Sequence, residues 1–92
     1  MRQHIAPAAA LLVARFPAIT ACRLQVEPSP SGHEACIEVL LPEHQIILNA
    51  VGRDAETARR NALALAEERL VALARRDPAI LGPRATQQET LT

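Results

Sequence analysis

The sequence predicts an α+β fold: a two-layer sandwich in the order helix-strand-strand-strand-helix, with a three-stranded antiparallel meander covered on one face by both helices. Three observations predict it. Residues 19–51 hold three stretches in which apolar and polar residues alternate. Short turn-forming segments, "PSPSG" and Pro42-Glu43, separate those stretches. On either side, apolar residues recur at helical spacing.

The first helix is predicted at about residues 6–16. Pro7 suits its first turn, where a missing N–H costs nothing. Ala8, Ala9, Leu12, Val13 and Phe16 supply the apolar spacing, and Pro17 disfavours helical geometry at Phe16. The strands are predicted at about 19–27, 34–41 and 44–51, with Gly32 free to take a positive φ in the first turn.

The two hairpins check one another. A tight turn at 42–43 sets Val39 opposite Ile46 and Ile37 opposite Leu48. Pairing Glu27 with Glu34 sets Val26 opposite Ala35, Leu24 opposite Ile37 and Cys22 opposite Val39. Opposed residues share a face. One face therefore collects Cys22, Leu24, Val26, Ala35, Ile37, Val39, Leu41, Ile46, Leu48 and Ala50. A slip of one residue would scatter that set.

Gly52-Arg53 leads into the second helix. Asp54 is the expected N-cap, and Glu56 in the first turn complements the helix dipole. Leu63, Ala66, Leu70 and Leu73, with Ala62 beside them, form its apolar stripe. Arg75 and Arg76 suit the C-terminal end, and Asp77-Pro78 stops the helix. At ~1.5 Å per residue it is long enough to cross the sheet. Residues 1–81 read as a single α+β domain and 82–92 as a mobile tail.

With 92 residues and a hydrophobic content of 49%, the chain is expected to fold around one modest core. No apolar run approaches the ~20 residues that span a bilayer, and no clean cleavage site follows the N-terminal apolar stretch. The expected location is the cytoplasm, with no membrane partner.

Net charge is zero but unevenly spread. Arg2 and Arg15 make residues 1–18 positive. Glu27, Glu34, Glu38 and Glu43 outweigh Arg23 in residues 19–51. Residues 52–92 carry one more arginine than acids. The basic residues are all arginine, which suits phosphate forks but is more simply explained by a GC-rich genome.

Chemistry of the catalytic kind has little support. There is no phosphate-cradling glycine loop, and Ser29 and Ser31 lack a histidine-acid arrangement. His33-x-x-Cys36 has no second ligand pair, whereas structural zinc takes four ligands. No enzyme, metal site or cofactor is expected. Cys22 and Cys36 fall on opposite faces in this register and cannot join in a disulfide.

Arg23 faces outward opposite Glu38. It reads either as one half of a cross-strand ion pair or as a nucleic-acid contact. The arginines of the second helix, Arg59, Arg60, Arg69, Arg75 and Arg76, read either as a charge-balanced solvated face or as phosphate contacts. Phe16 is the only aromatic residue, so any RNA recognition rests on backbone and shape rather than stacking. Leu40, Ile47 and Val51 make the outer sheet face more apolar than solvent requires. A homodimer through that face or through a sheet edge is therefore a second expectation.

The run "ITACRLQVEP" inside "RFPAITACRLQVEPSPSGHEACIEVLLPEHQIILN", followed by "RDAETARRNALALAEERLVAL", resembles the ribosome hibernation promoting factor family, also called ribosome-associated inhibitors or sigma-54 modulation proteins. The matching features are Pro17, Ile19, Thr20, Cys22, Arg23, Val26, Glu27, Pro28, Arg59 and Arg60, within about residues 6–76. The resemblance implies a small cytoplasmic bacterial protein of the stress response. It implies regulation of translation by binding small-subunit ribosomal RNA near the decoding region, without chemistry. Arg60, Arg69, Arg75 and Arg76, with Arg23 on the strand, would be its RNA-binding residues. Family members begin with another strand before the first helix, for which "MRQHI" is short. They are also more basic and richer in lysine. The chain thus reads as a divergent member lacking the first strand. The alternative is a small self-associating α+β module that does not bind nucleic acid.

Overall fold

The computed structural model describes residues 4–5 and 7–81. The elements are β1 (His4–Ile5), a 3-10 turn (Pro7–Ala9) running into α1 (Ala10–Arg15), β2 (Ala21–Ser29), β3 (Gly32–Leu41), β4 (His44–Gly52), α2 (Ala55–Arg76) and a closing 3-10 turn (Pro78–Leu81). They form the expected α+β sandwich. β2, β3 and β4 make an antiparallel meander, with the helices on one side.

The register agrees with the sequence reading residue by residue. Cys22 pairs with Val39, Leu24 with Ile37, Val26 with Ala35 and Glu27 with Glu34. Val39 pairs with Ile46, and Ile37 with Leu48. The inner face therefore presents one apolar set, with Ile37 and Val39 wholly buried and Leu24, Val26 and Leu48 partly so.

Four local features differ from the expectation. First, the chain does not lack a strand ahead of α1: His4–Ile5 pairs with Ala21–Cys22 in parallel, adding a short fourth member to the sheet. Two residues are too few to show any alternation, so this pairing left no pattern to read. Second, the β2–β3 connection is tighter than "PSPSG" suggested. Ser29 already faces Gly32, leaving Pro30-Ser31 as the turn, with Gly32 at φ 140°. A Cβ on Gly32 would stand 2.4 Å from the Gly52 carbonyl oxygen.

Third, the buried stripe of α2 is Ala58, Ala62, Ala66 and Leu70, while Leu63 and Leu73 flank it half-buried. The three alanines let the helix lie close on the sheet, and Gly52 makes that approach possible where β4 enters the helix. A Cβ there would sit 2.5 Å from the Ala58 nitrogen. Fourth, Ile80 in the closing turn is buried in the same core. Apart from Ile80, the remaining core comes from the N-terminal side: Ala9, Leu12, Phe16 and Ile19 pack into one cluster with the sheet and α2. The predicted start of the first helix at residue 6 and the tail at 82–92 lie outside the described residues.

The capping predictions hold. Asp54 accepts a hydrogen bond from the Thr57 N–H at 2.8 Å, filling the N-cap role. Phe16 ends α1, its N–H still bonded to the Leu12 carbonyl at 2.9 Å. Cys22 is buried and Cys36 lies on the opposite, outer face; both are free thiols.

Candidate nucleic-acid interface

The five arginines singled out from the sequence do not form one patch. Arg23 lies on the outer face of β2, on the far side of the sheet from α2. Its guanidinium is 3.9 Å from the Glu38 carboxylate, across the β2–β3 pair. Gln45 donates to the other oxygen of Glu38 at 2.9 Å, so the carboxylate is held from both sides. An exposed pair of this kind is worth ~0.2–1 kcal/mol. The cross-strand ion pair expected of Arg23 is thus formed.

Arg60 sits in the second turn of α2 and reaches Glu56 one turn back at 3.3 Å. It also lines a groove between α1 and α2, of about 390 Å³, with Leu11, Leu12, Leu63 and Glu67. An ion pair between Arg15 and Glu67 lines that groove, and Arg15 also sits 5.5 Å from the Phe16 ring centre. Arg60 is therefore part of a charge-balanced surface joining the two helices.

Arg69, Arg75 and Arg76 are different. They occupy the last two turns of α2, and among the described residues no carboxylate lies within ion-pair distance of any of them. Arg69 and Arg76 are seven residues apart and share one side of the helix. With His44, Gln45, Ile46, Ala72 and Leu73 they line a cleft of about 450 Å³ along the edge of β4. Arg75 is exposed on another side of the same turn. The acid that follows Arg76, Asp77, is engaged elsewhere: His44 Nε2 meets its carboxylate at 2.8 Å, and the Ala79 N–H bonds it as well. The His44 hydrogen bond, followed by the one from Ala79, holds the Asp77 carboxyl below its ordinary range.

A complementary cleft lies at the other end of the β4 edge. Glu34, Asn49, Val51, Asn61, Leu65 and Glu68 line it, with Ala50 and Ala64, over a volume of about 600 Å³. Asn61 donates to the Val51 carbonyl at 2.9 Å there. Leu65 stays 40% exposed, and the outer-face residues Ile47 and Val51 are exposed at 58% and 59%. The sequence reading noticed Ile47 and Val51 but not Leu65. The missed signal was the spacing Asn61, Leu65, Glu68, Arg69, Ala72, Arg76, which keeps to one side of a helix.

Among the described residues no group of three or more His, Cys, Asp or Glu side chains is placed to hold a metal ion, and no helix is long and apolar enough to cross a membrane. No family model matches the chain, and no curated protein or solved structure matches it either.

Proposed function

We propose that the chain is a non-enzymatic RNA-binding factor of the cytoplasm that regulates translation by associating with small-subunit ribosomal RNA. The observation that carries this reading is the arginine group Arg69, Arg75 and Arg76 at one end of α2, which in a protein of zero net charge makes no ion pair among the described residues. Guanidinium groups without an internal partner suit phosphate oxygens, and each contact releases counterions. The element order also supports it. A strand ahead of the first helix belongs to the pattern that the resemblance to hibernation factors implies, and β1 stands in that position. In this reading Arg75 and Arg76 are the principal contacts, Arg69 borders them, and Arg23 and Arg60 are held by Glu38 and Glu56.

Sedimentation of cell lysate through a sucrose gradient at low salt tests the proposal. The protein is expected in the small-subunit fractions and should leave them as salt is raised. A protein that stays at the top of the gradient at low salt refutes ribosome association.

A second reading, self-association without a nucleic-acid role, is favoured by one specific observation. Ile47, Val51 and Leu65 are exposed together along β4 and the adjacent side of α2.

A further inference from the structure

We propose that the β4 edge is a homodimer interface, in which two copies pair antiparallel about a two-fold axis at Ile47 and close their α2 helices side by side. The inference deepens the self-association reading; it engages Arg69 and Arg76, which the RNA reading also uses, and leaves Arg75 outside the interface.

The two sheet edges are not equivalent. In a two-residue hairpin the residues flanking the turn bond each other, and backbone direction then alternates along the strand. With Ser29 facing Gly32, the odd residues of β2 bond β3, so Cys22, Leu24, Val26 and Pro28 point outward. β1 covers that edge at Ala21–Cys22, and Pro28 has no N–H to offer at its other end. With Leu41 facing His44, the even residues of β4 bond β3, so Gln45, Ile47, Asn49 and Val51 point outward. Among the described residues no strand covers this edge. An open run of donors and acceptors beside exposed Ile47 is a template for another strand.

The register follows from Asn61. Its amide already occupies the Val51 carbonyl, which leaves Gln45, Ile47 and Asn49 for a partner strand. Two antiparallel copies satisfy all three residues when Ile47 faces Ile47 of the second copy and Gln45 faces Asn49. The two isoleucines then meet on the axis.

Charge selects the same arrangement. The cleft beside residues 44–46 presents Arg69 and Arg76 and no carboxylate. The cleft beside residues 49–51 presents Glu34 and Glu68 and no arginine. A two-fold axis at Ile47 sets the basic cleft of each copy against the acidic cleft of the other. A parallel pairing would oppose like charges. The spacing is also suitable. α2 lies over β3 and β4. Strands ~4.8 Å apart then bring two helices on that seam to about 10 Å from one another, an ordinary helix-packing distance. Leu65 faces that gap, and the small side chains of Ala64 and Ala72 leave room for it.

Light scattering across a dilution series, in buffer free of nucleic acid, tests the proposal together with amide hydrogen exchange. The account predicts a concentration-dependent dimer in which the amides of Gln45, Ile47 and Asn49 become protected as concentration rises. Asn49→Pro removes an outward N–H without touching the β3–β4 ladder and should abolish dimerisation, with circular dichroism confirming the fold. Glu68→Arg should weaken the dimer about tenfold or more, and adding Arg69→Glu should restore it. A monomer at all concentrations overturns the proposal, and so does a dimer in which those three amides exchange as freely as in the dilute protein. A dimer indifferent to both Glu68→Arg and Asn49→Pro overturns it too. RNA affinity, read separately on Arg75→Glu, which lies outside both clefts, decides the other reading without bearing on this one.

Discussion

Asn61 of α2 donates its side-chain amide to the Val51 carbonyl of β4 at 2.9 Å, which ties the second turn of the helix to the strand beneath it. It is a helix-to-strand hydrogen bond on the open edge, and it satisfies a carbonyl that no strand among the described residues reaches. Asn61→Ala is expected to cost about 1 kcal/mol in urea unfolding. Asn61→Asp should cost more, because it sets one acceptor against another. Equal stability of all three proteins would show that the bond contributes nothing.

The acid side of the stability curve should belong to two aspartates. Asp54 is held below its ordinary value chiefly by the Thr57 N–H, and Asp77 chiefly by His44. A carboxyl lowered in the folded state stabilises the fold above its unfolded pKa of ~3.9, and that contribution disappears as pH falls through the lower folded value. Melting temperature is therefore expected to hold steady down to about pH 4 and then to fall. His44→Ala should remove most of the share due to Asp77, leaving the part that the Ala79 N–H supplies and that of Asp54. A variant with the full acid-dependent loss would contradict the assignment to His44.

Two glycines are fixed by close approach. Gly32→Ala places a Cβ 2.4 Å from the Gly52 carbonyl at φ 140°, and Gly52→Ala places one 2.5 Å from the Ala58 nitrogen. Each is expected to destabilise the fold by about 2 kcal/mol or more in denaturant titration. Loss of under half that amount at both sites would mean that the hairpin and the helix start shift at little cost.

The thiols should report the two sheet faces. Burial pushes the Cys22 thiol above its ordinary pKa, while Cys36 is half-exposed on the outer face. A thiol reagent at mildly alkaline pH is expected to modify Cys36 quickly and Cys22 only on unfolding. Equal rates in the native protein would contradict the register.

The strands were legible because short turns and strict alternation leave one register that gathers Leu24, Ile37 and Leu48 on a single face. The α2 stripe was read less well. Ala58 and Ala62 carry little hydrophobic signal, yet they are what the sheet meets, while the larger Leu63 and Leu73 sit at the sides. β1 and Ile80 escaped because two residues, or a 3-10 turn after a proline, show no period. At the candidate interface the residue types were visible but their partners were not. Glu67 answers Arg15 across 52 positions of sequence, and only the fold shows that Arg69, Arg75 and Arg76 meet no such acid among the described residues.

The most direct test of the central claim is the salt dependence of binding to single-stranded and small-subunit ribosomal RNA, measured for the natural chain and for Arg75→Glu/Arg76→Glu. With three phosphate contacts, the logarithm of affinity should fall against the logarithm of salt concentration with a slope of about −2, and the variant should lose most of both affinity and slope. A variant that binds RNA as tightly as the natural chain, with the same slope, would contradict the claim that the end of α2 is the RNA-binding surface.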